Sequence, residues 1–145
     1  MIYRYKTPFE LKPGVWVFPP TGEGKSQGKD IVERVMKKWT PPDHFYHFRE
    51  GGHVKAIRDH LQSDLFAVAD IKSFFQSTTR SMVVKALVKA GFRFDEALDI
   101  SSSSTVKHAA FGSRRFVPYG FVQSALLATL CLEHSRLGAV VRGAA

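Results

Sequence analysis

The sequence has few acidic residues, a single cysteine and no long apolar run. Its 145 residues include 21 Lys and Arg against 13 Asp and Glu, a formal charge of +8. Such an excess predicts an anionic partner, nucleic acid first and an acidic membrane surface second. The one cysteine, Cys131, excludes an internal disulfide and any zinc site built from cysteines. Because no apolar stretch approaches the length of a membrane span or a signal peptide core, we expect a cytoplasmic protein without a membrane partner.

The spacing of the apolar residues predicts an α+β protein of mixed strands and helices. We expect an N-terminal arm and helix over residues 1–43, followed by a second unit over residues 44–145. The predicted strands are residues 15–18, 44–48 and 65–70, and the predicted helices are residues 29–39, 78–90, 95–104 and 122–137. Residues 22–28 are predicted to form a loop. Residues 54–61 fit a helix by their apolar spacing, but a strand remains open there.

The first segment that carries chemical information is Phe-Ala-Val-Ala-Asp-Ile-Lys-Ser-Phe-Phe, residues 66–75. A carboxylate at the end of a buried strand is costly unless a positive partner meets it, and a divalent metal is a common partner. Strand ends are also where sheets present their ligands. The segment therefore predicts either a metal-binding Asp70 or an aspartate that only caps the turn after the strand.

The second segment is Phe-Val-Pro-Tyr-Gly-Phe-Val-Gln-Ser, residues 116–124, followed by an apolar helix. Pro118 stiffens the backbone, and Gly120 permits a tight turn or the close approach of another backbone. Gln123 and Ser124 offer polar groups at the start of the helix. An ordinary helix start with Ser124 near the N-cap is the favoured explanation when the segment is taken alone.

Taken together and in this order, the two segments resemble reverse transcriptases, in particular the bacterial retron-like and defence-associated ones. The Asp70 segment is similar to their first palm motif, an Asp followed by an aromatic pair. The Pro118 segment is similar to their Pro-Gln-Gly and Ser-Pro motif. The family also has a helix between these motifs, where residues 78–90 lie. The resemblance covers residues 44–138 and implies the fingers and the first half of the palm of an RNA-directed DNA polymerase.

The resemblance implies a role for individual residues. Asp70 would be one of the carboxylates that hold two Mg²⁺ ions, and the Ile71 carbonyl would complete a metal shell. Phe75 matches the aromatic gate that selects deoxynucleotides by clashing with a ribose 2′-hydroxyl. Gly120 would admit the nascent base pair. The partners implied are an RNA template, a DNA primer and deoxynucleotides.

Other residues around the second motif are assigned with less support from the pattern. Gln123 and Ser124 would support the template side of the nucleotide site. Tyr119 stands where the family commonly has Gln, which alters the nucleotide pocket, and Ala125 stands where it commonly has Pro.

Basic residues supply the remaining candidates. Lys55 and Arg58 follow a Gly-Gly turn and precede the Asp70 segment, so they are candidates for the triphosphate. Lys107, Arg114 and Arg115 are candidates for contacts with nucleic acid. For Lys55 and Arg58, a solvated basic face is at least as good an explanation.

The family's second carboxylate pair, in an aromatic-x-Asp-Asp hairpin, is missing from the sequence. No aspartate follows Asp99. We therefore expect an incomplete part of the enzyme, whether a shortened product or one part of a split enzyme, and expect this chain alone to be inactive. The palm edge left exposed predicts self-association.

Two other functions remain open. Residues 20–26, Pro-Thr-Gly-Glu-Gly-Lys-Ser, are similar to the phosphate loop of helicase-type NTPases, with Lys25 as the residue that would reach the phosphates. Residue 19 is Pro where that loop begins with Gly or Ala, and Gly28 would interrupt the following helix. A basic nucleic-acid-binding module without catalytic activity is the third hypothesis.

Overall fold

The computed structural model describes residues 4–144, which form a mixture of helices with one small sheet and so confirm the α+β class. The strands are β1 (Phe9–Lys12) and β2 (Val15–Val17), an antiparallel pair. The helices are α1 (Gly22–Lys38), α2 (Gly52–Asp59), α3 (Phe74–Ser77), α4 (Arg80–Lys89), α5 (Phe94–Ser104), α6 (Ser124–Glu133) and α7 (Arg136–Ala144). Single 3₁₀ turns lie at Tyr46–Phe48 and Ala109–Phe111. Among the described residues, no helix is long and apolar enough to cross a membrane.

The main hydrophobic core lies between α1, α4, α5 and α6. Its most buried side chains are Ile31, Val35, Val83, Leu87, Ala97, Ile100, Leu127 and Leu130. Burying a side chain of this size stabilises the fold by about 1.5–3 kcal/mol. Helix α1 thus packs into the same core as the later helices, although the sequence predicted it to belong to a separate N-terminal segment.

Several helix boundaries confirm the signals in the sequence. The Thr79 side chain caps α4 by accepting from Met82 N at 3.4 Å, and Gly91 follows the helix with φ 97°. That positive φ is the left-handed conformation for which glycine is preferred. Asp95 and Glu96 lie in the first turn of α5, where the helix dipole favours acidic groups.

A segment in the middle of the fold, residues 115–120, is here called the central segment because it bonds to several other parts of the chain. Phe116 exchanges backbone hydrogen bonds with Val106, at 2.9 and 3.0 Å. Val117 N donates to Thr78 O at 3.0 Å, just before α4. The Ser124 hydroxyl donates to Pro118 O at 2.6 Å, which ties the segment to the start of α6.

The N-terminal arm, residues 4–8, lies against α1 and residues 18–20, and Phe18 in turn bonds to the central segment. Phe18 N donates to Tyr119 O at 2.8 Å, and Thr21 N donates to Arg4 O at 3.0 Å. The Tyr5 ring packs edge-on against Phe18, with centroids 5.4 Å apart. Phe18 belongs to a second, smaller core that also contains Phe116.

The predicted strand over residues 65–70 is wrong. This segment belongs to no strand, and Leu65 is 89% exposed, Phe66 66% and Val68 95%. A strand needs a neighbour to bond its backbone, and within residues 4–144 the only sheet is the β1–β2 pair. The prediction that this strand packs on α4 and α6 is therefore wrong as well.

Two other local predictions are corrected, and one that was left open is resolved. Residues 44–48 form no strand, since Tyr46–Phe48 is a 3₁₀ turn. Residues 54–61, which fitted a helix by their spacing, fall on helix α2 and the turn after it. Residues 22–28 are the first two turns of α1 and not a loop, because Thr21 caps the helix by accepting from Gly24 N at 3.1 Å. Favourable capping thus offsets the poor helix propensity of the glycines.

The predicted helix over residues 122–137 is two helices, α6 and α7. Ser135 marks the break: its hydroxyl donates to Leu132 O at 2.6 Å and accepts from Gly138 N at 3.0 Å. A Cβ at position 138 would lie 2.1 Å from Leu132 O, so glycine is required where the second helix turns away.

Gly120 is the residue whose substitution tests the packing of the central segment. Its φ is 111°, and a Cβ there would lie 2.5 Å from Phe18 O. We expect Gly120→Ala to lower the free energy of unfolding by about 2–3 kcal/mol, since backbone strain and a clash with main-chain atoms add. Urea unfolding measures the loss.

Gly91→Ala is the matched control, because Gly91 has φ 97° but a Cβ there meets nothing within 4 Å. Its cost is expected near 1 kcal/mol, from strain alone. Equal losses in the two variants would contradict the close approach of Phe18 to Gly120.

Candidate functional site

The two motif segments meet at a contact between two aromatic rings. The centroids of Phe75, on α3, and Tyr119, in the central segment, lie 4.7 Å apart with an interplanar angle of 32°. Phe75 is half-buried and also packs against the main core. The structure therefore brings together two residues that the sequence assigned to one nucleotide site.

Asp70 lies at the end of the exposed segment 61–70, where the chain rejoins the folded helices. Among the described residues, no hydrogen bond or ion pair reaches its carboxylate. The next residue, Ile71, is half-buried and lines a cavity of about 140 Å³ together with Leu132 and Leu137. The Asp70 carboxylate is thus exposed, while the next residue along the chain is packed against α6 and α7.

The described residues do not form a metal centre around Asp70. Nowhere in residues 4–144 do three or more His, Cys, Asp or Glu side chains gather into a group that could hold a metal ion. A two-metal site needs several carboxylates on the same pair of ions. Asp70 and the Ile71 carbonyl therefore fit a Mg²⁺ pair only if further carboxylates join them.

Gly120 admits another backbone, as its sequence context suggested, and in this structure that backbone belongs to Phe18. The positive φ and the missing Cβ together allow Phe18 O to approach. The same approach holds the neighbouring Tyr119 in place, since Tyr119 O accepts from Phe18 N. Gly120 thereby fixes the position of one ring of the Phe75–Tyr119 pair.

Gln123 and Ser124 point into the protein interior. Gln123 is 2% exposed, its amide nitrogen donates to Ser104 Oγ at 3.2 Å, and its amide oxygen has no partner among the described residues. A Cβ at Gly28 of α1 would lie 2.5 Å from that oxygen, which explains a glycine inside a long helix. Both side chains hold α6 against its neighbours in this structure.

The two basic candidates on α2 differ in their surroundings. Lys55 Nζ lies 3.3 Å from Asp59 Oδ1, whereas Arg58 is exposed and forms no ion pair with a described residue. The Tyr46 hydroxyl also donates to Asp59, at 3.1 Å. That hydrogen bond raises the pKa of Tyr46 and lowers the pKa of Asp59. Lys55 is therefore engaged in a small surface network.

The three basic candidates near the central segment also differ. Lys107 and Arg114 are exposed and form no ion pair with a described residue. Arg115 is half-buried and donates to Thr105 O at 2.6 Å and to Ser102 O at 3.3 Å. Burial and the nearby positive charge of Arg80 lower the pKa of the Arg115 guanidinium.

Sequence reasoning missed two basic residues on the N-terminal arm. Arg4 donates to the same Ser102 carbonyl at 2.9 Å, and Lys6 is exposed beside it. The alternation of aromatic and basic residues in Arg-Tyr-Lys, residues 4–6, was the available signal. That alternation does not reveal the contact between Arg4 and Ser102, because α5 is distant from the arm in the sequence.

The phosphate-loop interpretation finds little support in the local geometry. Lys25 is exposed on the first turn of α1, and its backbone N–H bonds to Thr21 O at 2.9 Å. The Gly24 N–H bonds to the Thr21 hydroxyl. Backbone donors that would cradle phosphates are thus already engaged in capping the helix.

Glu133 and Cys131, on α6, are structural. Glu133 is nearly buried, with Arg142 Nη1 2.7 Å from Oε1 and His44 Nε2 3.4 Å from Oε2. Cys131 is buried, as the apolar context predicted, and burial raises its pKa to about 12.

Comparison with known proteins adds no relative. No protein-family model, no curated protein and no solved structure matches the chain.

The raised pKa of Cys131 predicts slow thiol chemistry. Only the thiolate reacts with a disulfide reagent, and an unperturbed thiol has a pKa of about 8.5. We expect the native chain at about pH 8 to react with dithiobis(nitrobenzoate) at least about a hundredfold more slowly than the chain unfolded in guanidinium chloride. Absorbance of the released thiolate measures both rates, and a native rate equal to the unfolded one would contradict the burial of this thiol.

Proposed function

We propose that this chain is part of an RNA-directed DNA polymerase, contributing a section of the fingers and palm that holds the incoming deoxynucleotide. The observation that carries the proposal is the contact between Phe75 and Tyr119. These residues come from two separate motifs, each of which resembles a reverse transcriptase motif. Their rings adjoin at 4.7 Å.

The contact suits a site that must distinguish two sugars. A rigid side chain excludes a 2′-hydroxyl better than a mobile one, because a mobile side chain yields to the clash. The Phe75 side chain packs against the main core, and its ring also contacts the Tyr119 ring. An aromatic pair of this kind contributes about 0.5–1.5 kcal/mol beyond its buried area. The position of the gate is thus fixed before a nucleotide binds.

The exposed segment 65–70 also supports the proposal. It is largely apolar and exposed, and its backbone bonds to no other described residue. Exposed apolar segments of this kind mark places where another chain segment binds. We propose that a strand bearing further carboxylates pairs with it and that those carboxylates join Asp70.

A nucleic-acid-binding module without catalysis is the second candidate. The unpaired basic residues Arg58, Lys107 and Arg114 favour it, since they attract phosphates whether or not Asp70 binds a metal. The two functions differ in what the loss of the Asp70 carboxylate does.

Asp70→Asn is expected to abolish DNA synthesis by the complete gene product that contains this chain. Loss of a carboxylate that binds a metal removes several kcal/mol of transition-state stabilisation, on the order of a thousandfold in rate. The melting temperature is expected to stay nearly unchanged, because Asp70 is exposed. Primer extension on an RNA template measures the effect.

Asp64→Asn provides the control, since Asp64 is exposed on the same segment and makes the same change in charge. It is expected to retain synthesis. If Asp70→Asn retained substantial synthesis, Asp70 would not be a metal ligand.

Phe75→Ala is expected to relax discrimination against ribonucleotides by about tenfold or more, because the clash with the 2′-hydroxyl disappears. Competitive incorporation of ribonucleotides and deoxynucleotides measures it. Phe94→Ala removes a ring that is 64% exposed and should leave discrimination unchanged. Wild-type discrimination in Phe75→Ala would remove Phe75 as the gate.

A further inference from the structure

A basic cleft lies between the N-terminal arm and the end of α5. Its volume is about 580 Å³. Residues 4–8 form one wall, and residues 103–107 form the other. Arg115 and Phe121 also line it.

Only one sign of charge is present in this cleft. Arg4, Lys6, Lys107 and Arg115 all line it, and no described residue in the lining carries a carboxylate. None of these four cations forms an ion pair with a described residue. Elsewhere on the surface, Lys37, Arg93 and Arg142 each lie within 3.1 Å of a carboxylate oxygen. No described carboxylate therefore balances the positive charge of this cleft.

The two arginines are held in position by the end of helix α5. Arg4 Nη1 and Arg115 Nη2 donate to the same oxygen, Ser102 O, at 2.9 and 3.3 Å. The two nitrogens are thus no farther apart than the sum of these distances. Arg115 also donates to Thr105 O at 2.6 Å. These hydrogen bonds restrain both side chains before a ligand binds, which lowers the entropic cost of binding.

The helix end does not neutralise the pair. The C-terminus of a helix carries the equivalent of about half a negative elementary charge. Two guanidinium groups exceed that amount, and Lys6 and Lys107 add to the excess. The Nη1 group of Arg115 and the Nη2 group of Arg4 donate to no described residue, so both retain N–H groups for a further acceptor.

The wall formed by the arm is firmly attached. Lys6 N donates to Pro19 O at 2.8 Å, and the Tyr5 ring contacts both Phe18 and Phe121. A Cβ on Gly24 would lie 2.0 Å from Arg4 O, so α1 and the arm are in direct contact. The wall of the cleft that the arm forms is therefore held in place by contacts with the rest of the fold.

We propose that this cleft binds the phosphate backbone of a nucleic-acid strand, with Arg4 and Arg115 as a fixed pair of donors and Lys6 and Lys107 as flanking charges. Guanidinium groups match phosphate oxygens in geometry and charge. The volume accommodates more than one phosphate group, which suits a strand better than a single small anion. The choice of a nucleic acid rests on the proposed function.

Lys6 and Lys107 are the residues to change, because both are exposed and make no side-chain bond that the fold needs. Arg115→Ala would remove the bonds to the end of α5 and risk misfolding. The test compares Lys6→Ala/Lys107→Ala with Lys29→Ala/Lys89→Ala, a pair of exposed lysines on α1 and α4 with the same loss of charge. Melting temperatures of both double variants verify that they fold.

Binding of a fluorescently labelled single-stranded oligonucleotide is measured by anisotropy over a range of salt concentrations. We expect the cleft variant to bind at least about tenfold more weakly at low salt, and the control to change by less than about twofold. Each phosphate contact with a single strand contributes about 0.7 to the salt slope, so the cleft variant should lose about 1.4. Equal losses in the two variants, or no loss in the cleft variant, would overturn the proposal.

A competition experiment distinguishes a nucleic-acid strand from a small free anion as the ligand of the cleft. Inorganic pyrophosphate should displace the oligonucleotide only at a phosphate concentration at least about tenfold higher, because it engages fewer of the cations. If pyrophosphate displaced the oligonucleotide at an equal phosphate concentration, the proposal that the cleft binds a nucleic-acid strand would be overturned. The binding test requires no DNA synthesis. Absence of primer extension by the wild-type gene product would therefore reject the polymerase proposal without bearing on the cleft.

Discussion

The fold depends on one segment, residues 115–120, which bonds to residues after β2, before α4, after α5 and at the start of α6. Phe116 and Val106 exchange backbone hydrogen bonds, Val117 N donates to Thr78 O, and Phe18 N donates to Tyr119 O. The segment has no regular strand neighbours, so these contacts from different elements satisfy its buried backbone. Gly120 is the steric condition for them, because any side chain there would push Phe18 away. The position of the N-terminal arm, the packing of both cores and the contact between Phe75 and Tyr119 therefore all depend on a glycine at position 120.

The same segment links the two surfaces for which functions are proposed. Tyr119 lies at one end of it, against Phe75, and Arg115 lies at the other end, bonded to the end of α5. A buried and strongly bonded connection of this kind resists deformation, so the two ends keep a fixed separation. Such a connection would keep a bound nucleic-acid strand and a bound nucleotide at a fixed distance from each other. The polymerase proposal and the cleft proposal are in this sense structurally compatible.

The sequence predicted the helices better than it predicted the strands and the site. Helices α4 and α5 followed from the spacing of their apolar residues, and the structure adds a capping Thr79, a terminal Gly91 and acids in the first turn of α5. The strand at residues 65–70 did not form, because its β propensity says nothing about whether a neighbour is present. Gln123 and Ser124 were expected at a ligand and lie buried, since polar side chains that bond within the core have the same pattern as those that bind. The partners of Arg4 were beyond prediction because they come from a distant part of the chain.

The central claim is that Phe75 and Tyr119 act together as one nucleotide site. A double-mutant cycle tests it: ribonucleotide discrimination is measured in the complete gene product for Phe75→Ala, Tyr119→Ala and the double variant. If Tyr119 acts by holding the Phe75 ring, the double variant should discriminate about as poorly as Phe75→Ala alone, with a coupling energy of about 0.5–1.5 kcal/mol. Additive effects of the two substitutions, or wild-type discrimination in all three variants, would contradict the claim.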